Sequence, residues 1–293
     1  MGWRNPVGSS GNIGKQRIVK NGIGVILSMA DIIDLTPAEL VYLVKEFEGT
    51  ILPGISDPFA RMSNSDRAAI ILDVESSLES KGLQERTFGG RITFDTSLVE
   101  LITICARFHR YIGIDYRKKH GNVDTDRYYE LEGKWLRITG DNSVFHLACC
   151  SGSEISSKLN ALPRMEQMSD DISALVSKAE WKQIEKYMSA GKIDEVLEHI
   201  EAFEANDTTK RLLRDGISNE VDFATVTIMQ RDSDLITSDS ASVLISNDTV
   251  AEFYQAVSDD NRTMIGIRSV QQGQWGKIND TASMWVSEEK ESD

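Results

Sequence analysis

The spacing of apolar residues changes from a helical to a strand period twice along this chain, and this repeated change constrains the fold most. Between residues 37 and 108, apolar positions recur every three or four residues, as on one face of a helix. From Tyr111 to Cys149 they alternate in short runs separated by turn residues. Helical runs return near Lys178, and strand-like runs follow from Val221. We therefore predict an α+β fold with two similarly built halves, whose two sheets could also join into one large sheet.

The first half opens with a helix-start signal. Thr36, Pro37 and Glu39 form a capping box with proline at the first helical position, and Gly49 ends the helix. A second helix is predicted over Asn64–Gly82, with Ala68, Ile71, Leu72 and Leu78 on its apolar face, and Asp95 or Thr96 caps a third. The predicted strands are Tyr111–Tyr116, Tyr128–Leu131, Trp135–Thr139 and Ser143–Cys149, followed by a helix over Ser153–Leu162.

The second half repeats this plan. The predicted helices lie near Lys178–Ser189, Ile193–Ala205, Thr208–Asp215 and Asp248–Val257, and the predicted strands near Val221–Gln230, Ala241–Ser246, Met264–Val270 and Ala282–Val286. The resulting organisation is a flexible N-terminal extension (1–28), a first unit (29–162), a linker (163–176), a second unit (177–287) and an acidic tail (288–293).

The charge of the chain argues against nucleic acid as a partner. There are 46 acidic and 32 basic residues, a net charge of −14. Four of the basic residues lie in 1–28, which holds no acid, so the rest of the chain has 28 basic and 46 acidic residues, a net charge of −18. A field of that sign repels phosphates and suits a partner with a basic or apolar surface, although it could also serve solubility alone.

Composition and motifs favour a cytoplasmic, non-catalytic protein. Cys105, Cys149 and Cys150 form no disulfide framework, and no apolar run approaches the roughly 20 residues that span a bilayer. Gly14-Lys15 lacks the serine or threonine of a phosphate loop, because Gln16 follows. His199-Ile200-Glu201 resembles half of a zinc deaminase signature, but no cysteine follows Cys150. We predict no enzyme activity, no cofactor and no metal site.

One local pattern indicates DNA binding instead. The helix Asn64–Gly82, followed by Gly89–Phe94, has the order of a recognition helix and a wing. That helix carries Arg67 and Lys81 against four acidic residues, so few donors would face a duplex. A winged-helix regulator remains an alternative, as does a non-catalytic adaptor or phage-type structural protein.

The order of elements in the first half resembles the EspG-like chaperones of bacterial type VII secretion systems. The stretches that carry the resemblance are Asp34–Leu43, Leu78–Leu83, Ser97–Phe108 and Tyr128–Trp135, and together the pattern covers about half the chain. The resemblance implies a cytosolic, non-catalytic protein with two quasi-symmetric halves, which holds a helical secretion substrate before export. It also implies that a loop between early sheet strands, here Arg117–Asp126, contacts the end of the substrate.

The basic segment Arg117–Gly121 lies in that loop and stands out in so acidic a chain. A solubilising hairpin tip is the alternative reading. We predict a helical secreted protein as the partner, with no nucleic acid and no membrane insertion, and a possible homodimer through an exposed sheet edge. The candidate partner-binding residues are Tyr116, Arg117, Lys118, Lys119, His120 and Tyr128.

Overall fold

The computed structural model describes residues 32–49, 52–141, 143–162, 172–233, 235–246, 249–257, 262–270 and 273–287. Within these residues the chain forms eight helices, a ten-stranded sheet and a two-stranded sheet. The predicted α+β class is therefore confirmed. The N-terminal extension (1–28), the first part of the linker (163–171) and the acidic tail (288–293) lie outside the described residues.

The first half contains four helices and seven strands. Three of the helices precede the four longer strands, and the fourth follows them. They are β1 (Ile33–Leu35), α1 (Pro37–Glu46), α2 (Asn64–Ser80), β2 (Gln84–Arg86), β3 (Ile92–Phe94), α3 (Thr96–Arg107), β4 (Arg110–Arg117), β5 (Val123–Leu131), β6 (Lys134–Gly140), β7 (Phe145–Cys150) and α4 (Gly152–Ala161).

The second half repeats that order without the small hairpin of β2 and β3. Its elements are β8 (Ser173–Ser177), α5 (Lys178–Ser189), α6 (Ile193–Glu201), α7 (Asp207–Ile217), β9 (Asp222–Asp232), β10 (Leu235–Ser246), β11 (Thr249–Val257), β12 (Thr263–Ser269) and α8 (Trp275–Ser287).

The two halves share one sheet, whose order is β1-β7-β6-β5-β4-β9-β10-β11-β12-β8. Outward from the central pair, the first half contributes β4-β5-β6-β7-β1 and the second half contributes β9-β10-β11-β12-β8. In each half, four consecutive strands are followed at the edge by the short strand that begins that half. The sheet therefore has a pseudo-two-fold axis between β4 and β9. These central strands pair antiparallel from Arg110 opposite Gln230 to Arg117 opposite Phe223. The edge strands β1 and β8 are short, with 3 and 5 residues, which limits the template for pairing with a second copy.

Helices cover both faces of the sheet because its central strands are apolar on alternate sides. One face packs on α4 and α8, and the buried residues between them include Tyr128, Trp135 and Trp275. The other face packs on α1–α3 in the first half, around Tyr129, and on α5–α7 in the second half, around Ile184.

Capping boxes fix several helix starts where the sequence predicted them. The Thr36 hydroxyl accepts the backbone N–H of Glu39 at 3.3 Å, and a Glu39 carboxylate oxygen accepts the N–H of Thr36 at 2.7 Å. Ser151 with Glu154 and Ser177 with Glu180 start α4 and α5 in the same way. Each box satisfies two backbone donors that a helix start would otherwise leave open.

Three local predictions were wrong, and a fourth was right in part. Residues 249–257 form the strand β11, not a helix, and Ala282–Val286 belong to the helix α8, not to a strand. Residues 173–176, assigned to the linker, lie in β8 and pair with β12. On α2 the predicted apolar face is confirmed for Leu78, which is buried, and for Ile71, which packs against the core, whereas Ala68 and Leu72 are exposed and Val74 is buried.

Candidate functional site

The basic loop between β4 and β5 packs against the connection between α7 and β9. The backbone N–H of His120 donates to the carbonyl of Asn219 at 2.9 Å, and that of Lys119 donates to a carboxylate oxygen of Asp222 at 2.7 Å. His120 and Asn219 both adopt a left-handed backbone, with φ of 58° each. The loop therefore has a defined position at one end of the central strand pair, where the two halves meet.

Acidic residues of the second half partly neutralise this loop. The Lys119 Nζ lies 2.9 Å from a Glu220 carboxylate oxygen, and the His120 Nε2 lies 3.3 Å from the same oxygen. The hydrogen bond from Lys119 is the main reason that the pKa of Glu220 lies below its ordinary value, and the positive field of His120 adds to it. Both basic side chains remain more than half exposed, so their charges are accessible from solvent.

Two further predicted residues anchor the loop to the second half. The Tyr116 hydroxyl donates to a carboxylate oxygen of Asp222 at 2.7 Å, and burial, with this acceptor, raises the pKa of Tyr116 to about 12. The Arg117 guanidinium lies 5.9 Å from the ring centroid of Phe223 and donates to the carbonyl of Gly216 at 3.2 Å. Lys118 is exposed on the same loop.

Tyr128 lies elsewhere. Its side chain is 1% exposed and packs in the core beneath α4 and α8. Burial is the main cause that raises its pKa, since no solvent stabilises the phenolate there. The structure thus brings together five of the six predicted partner-binding residues and places Tyr128 where a partner cannot touch it.

An apolar groove of about 450 Å³ adjoins the loop. Arg117 and Val123, which flank the loop in sequence, both lie in its wall, and α5, α7 and the strands of the second half complete it. The aromatic and long aliphatic side chains of the groove are Trp181, Ile184, Met188, Leu213, Ile217, Phe223, Leu244, Phe253 and Ile265.

The groove combines a fixed floor with an exposed rim. The rings of Trp181 and Phe253 meet edge-on with centroids 5.6 Å apart, and Ile184 beneath them is buried. Met188 is 44% exposed and Val123 is 52% exposed. A wall with flexible methionine at its rim can adapt to apolar side chains of different shape.

No sequence pattern identified this groove. Trp181, Ile184 and Met188 follow each other at helical spacing along one face of α5, and this stripe was the available signal. Such a stripe predicts core packing as readily as a binding surface, because only the packing of α5 on the sheet decides how much of it stays exposed.

In the candidate DNA-recognition helix, Asn64–Gly82, the two basic side chains contact other parts of the same protein. Lys81 Nζ lies 2.8 Å from a carboxylate oxygen of Glu39, and Arg67 donates to the carbonyl of Phe59 at 3.1 Å. Asp66, Asp73 and Glu79 of α2 are exposed. The negative charge of this surface repels a phosphate backbone.

Over the described ranges, no group of three or more histidine, cysteine, aspartate or glutamate side chains is arranged to hold a metal ion. A search of the same ranges finds no helix with the length and apolar character needed to cross a bilayer.

Comparisons with known proteins give a fold-level likeness and no relative in sequence. No protein-family model matches the chain, and no curated protein matches it. Among solved structures, it is similar to the Mycobacterium tuberculosis type VII secretion system chaperone EspG5, in a structure of its complex with the PE25–PPE41 dimer. The TM-score is 0.44 with 8% sequence identity, over 88% of this chain and 95% of that chain. A likeness at this level carries no argument about function.

Proposed function

We propose that this protein is a non-catalytic, cytoplasmic chaperone that holds a helical type VII secretion substrate before export. The observation that carries the proposal is the position of the apolar groove beside the basic loop: Arg117 and Val123 belong to both. This loop is the segment that the resemblance in the order of elements implies as the substrate contact. The same resemblance implies two quasi-symmetric halves, which agrees with the order of strands about β4 and β9.

The chemistry of the groove suits the end of a helical hairpin. A volume of 450 Å³ accommodates a few side chains and not the length of a helix. The burial of apolar side chains against Trp181, Met188 and Phe223 would supply affinity, at roughly 25 cal/mol per Å² of apolar surface removed from water.

Polar groups of the basic loop, which lies beside the groove, can orient the substrate. The Arg117 guanidinium lies in the groove wall beside the Phe223 ring, where its N–H groups could donate to a backbone carbonyl at the end of a bound helix. Lys118 and Lys119 would attract acidic residues around an apolar substrate tip. The net charge of −14 would keep the complex soluble.

Co-expression tests the proposal. The chain, carrying an affinity tag, is produced together with the small helical proteins encoded beside its gene, and retention of each is measured after purification. We expect one of them to be retained by the unchanged chain and lost with Met188→Glu or Val123→Glu, since each places a charge in the groove wall. Leu72→Glu is the control, because Leu72 is an exposed apolar residue on α2, outside the groove. Equal retention by all three variants would contradict the proposal.

A further inference from the structure

The outer side of α2 and the hairpin of β2 and β3 expose large apolar side chains away from the groove. Leu72 on α2 is 66% exposed, and Phe88, at the tip of the hairpin, is fully exposed. Ala69 and Ser76 are also exposed, and they share a face of α2 with Leu72 because they lie three and four residues from it. We call this area the α2–hairpin surface. Its residues are Ala69, Leu72, Asp73, Ser76, Glu85 and Phe88.

The hairpin is held against α2 by ion pairs and by a backbone hydrogen bond. The guanidinium of Arg86 in β2 lies 2.7 Å from a carboxylate oxygen of Glu75 and 3.4 Å from one of Glu79, both on α2. The backbone N–H of Leu83 donates to the carbonyl of Leu78 at 2.9 Å, in the last turn of the helix. Helix and hairpin therefore form one continuous surface, to which an exposed aromatic side chain contributes at the tip.

The charge of this surface is negative along the helix. The carboxylates of Asp73 and Glu85 are exposed and have no ion-pair partner among the described residues. Two nearby cations are already paired with acidic side chains, Arg86 with two residues of α2 and Lys81 with one of α1. The exposed cation of the hairpin is Arg91, next to the tip. Carboxylates beside exposed apolar side chains suit a partner that is both basic and apolar.

Gln84 supplies a second, independent sign of an occupant. This first residue of β2 is 3% exposed, and neither the nitrogen nor the oxygen of its side-chain amide has a partner among the residues that the structure describes. Buried amide groups are normally hydrogen-bonded. An open donor together with an open acceptor matches the backbone of a chain that lies beside β2, because a peptide group offers one of each.

We propose that the α2–hairpin surface binds the N-terminal extension, residues 1–28 of the same chain. This segment contains Arg4, Lys15, Arg17 and Lys20 and no acidic residue. It also contains the apolar stretch Ile23-Gly-Val-Ile-Leu27. It therefore combines the positive charge and the apolar side chains that the surface requires, whereas the rest of the chain has 28 basic against 46 acidic residues.

The extension also enters the fold beside this surface. The Nζ of Lys81, the C-cap residue of α2, donates to the backbone carbonyl of Asp34 in β1 at 3.1 Å. The described chain begins two residues before Asp34, at Ile32. The 12 residues from Lys20 to Ile32 span about 40 Å when extended, and α2, with 17 residues, is about 26 Å long. The basic residues can therefore reach any part of the helix.

Site-specific photo-crosslinking of the full chain tests this proposal. A photoreactive amino acid replaces Leu72, Phe88 or Leu235, and mass spectrometry identifies the peptides that it joins. Leu235, on β10, is the matched control, because it is 66% exposed, as Leu72 is. We expect crosslinks to residues 1–28 from positions 72 and 88 and none from position 235. In a mixture of isotope-labelled and unlabelled chains, these crosslinks should join residues of the same chain.

Removal of the positive charge of the extension should weaken the contact. The variant with Arg4, Lys15, Arg17 and Lys20 all replaced by Gln leaves every described residue unchanged. We expect it to lower the crosslinked fraction from position 72 about two- to tenfold at low salt. Added salt should lower the crosslinked fraction of the unchanged chain in the same direction, because it screens the exposed charges.

The acidic side of the contact has its own variant and control. Asp73→Asn with Glu85→Gln should lower the fraction crosslinked from position 72, since it removes the two exposed carboxylates of the surface. Asp239→Asn with Glu185→Gln removes the same number of exposed carboxylates elsewhere and should leave that fraction unchanged. Circular dichroism shows whether each variant is folded.

Three results would overturn the proposal. The first is that residues 1–28 crosslink no more to positions 72 and 88 than to position 235. The second is that the crosslinks join a labelled to an unlabelled chain, since the occupant would then be a second copy. The third is a crosslinked fraction that neither charge variant lowers. All three can be observed without a substrate, so they leave the proposed chaperone function untouched.

Discussion

The Glu252 carboxylate accepts the backbone N–H of Trp275 at 2.9 Å, and this contact joins the second half of the sheet to the helix that covers its centre. The same carboxylate accepts the N–H of Gln274 at 2.9 Å and a guanidinium hydrogen of Arg268 at 3.0 Å. Glu252 is 2% exposed. A buried carboxylate at the N-terminus of α8 satisfies two open backbone donors and lies at the favourable end of the helix dipole.

Removal of this carboxylate should destabilise the protein strongly. We expect Glu252→Ala to lower the free energy of unfolding by about 2–4 kcal/mol, because it leaves two helix-start donors and the partly exposed guanidinium of Arg268 without their acceptor. Urea denaturation measures this change. Glu185→Ala, at an exposed position of α5, is the control and should stay within about 0.5 kcal/mol of the unchanged protein. Equal losses of unfolding free energy in the two variants would show that the Glu252 cap does not stabilise the protein.

Gly273 is constrained by the same carboxylate. A Cβ atom at this position would lie 1.8 Å from a carboxylate oxygen of Glu252. Since that side chain is fixed by three hydrogen bonds, we expect Gly273→Ala to lower the free energy of unfolding by about 1–3 kcal/mol. Gly89→Ala is the matched control, because a Cβ there meets no atom within 4 Å. A stability for Gly273→Ala equal to that of the control would mean that Glu252 can move aside.

Two of the wrong sequence predictions, those for β11 and α8, lie around this cap. β11 has three consecutive buried residues, Val250, Ala251 and Glu252, so no alternation marks it as a strand. The polar pair before it, Asn247-Asp248, looks like a helix cap. The helix α8 did have a signal, because its buried residues Trp275, Ile278, Ala282 and Trp285 follow a helical spacing.

Prediction was most successful where the signal is local. The capping box at Thr36, the four strands of the first half and the repeated order of elements depend on neighbouring residues, and the structure confirms them. The groove and the ion pair between Lys119 and Glu220 depend on residues about 100 positions apart, so no local pattern could reveal them. Tyr128 was misplaced for the same reason, since α4 and α8 bury it.

The capping box of α1 should make stability depend on pH. Glu39 is 1% exposed; burial acts to raise its pKa, but hydrogen bonds from Lys81, Ser77 and the backbone of Thr36 outweigh this effect and lower it. The folded carboxylate therefore keeps its charge at a pH where the unfolded one, with a pKa of about 4.3, binds a proton. Its contribution is complete above that pKa and is lost as the pH falls through the lower, folded value.

The variant Glu39→Gln isolates this effect from other carboxylates. We expect it to be less stable than the unchanged protein at pH 7 by about 1–3 kcal/mol, since the amide replaces charged hydrogen bonds. The difference should shrink as the pH falls below about 4. Urea denaturation of both proteins at several pH values measures it. A difference that stays constant down to pH 3 would contradict the lowered pKa.

The two lysines of the basic loop should differ in their effects. Lys118→Glu and Lys119→Glu both reverse a charge near the groove and should weaken substrate binding, more at low than at high salt. Only Lys119→Glu also places a second carboxylate beside Glu220, which lies 2.9 Å from Lys119 Nζ, so it alone should lower the melting temperature slightly. Calorimetry and binding titrations at two salt concentrations separate these effects. Unchanged affinity of both variants at low salt would identify the loop as a solubilising tip.

Site-specific photo-crosslinking tests the groove most directly. A photoreactive amino acid is placed at Met188, at Val123 or at Leu72, and the chain is irradiated together with the co-purified helical partner. Met188 and Val123 lie in the groove, whereas Leu72 is an exposed apolar residue of α2 outside it. We expect a covalent adduct with the end of the helical partner from positions 188 and 123 and none from position 72. Adducts from position 72, without any from 188 and 123, would contradict it.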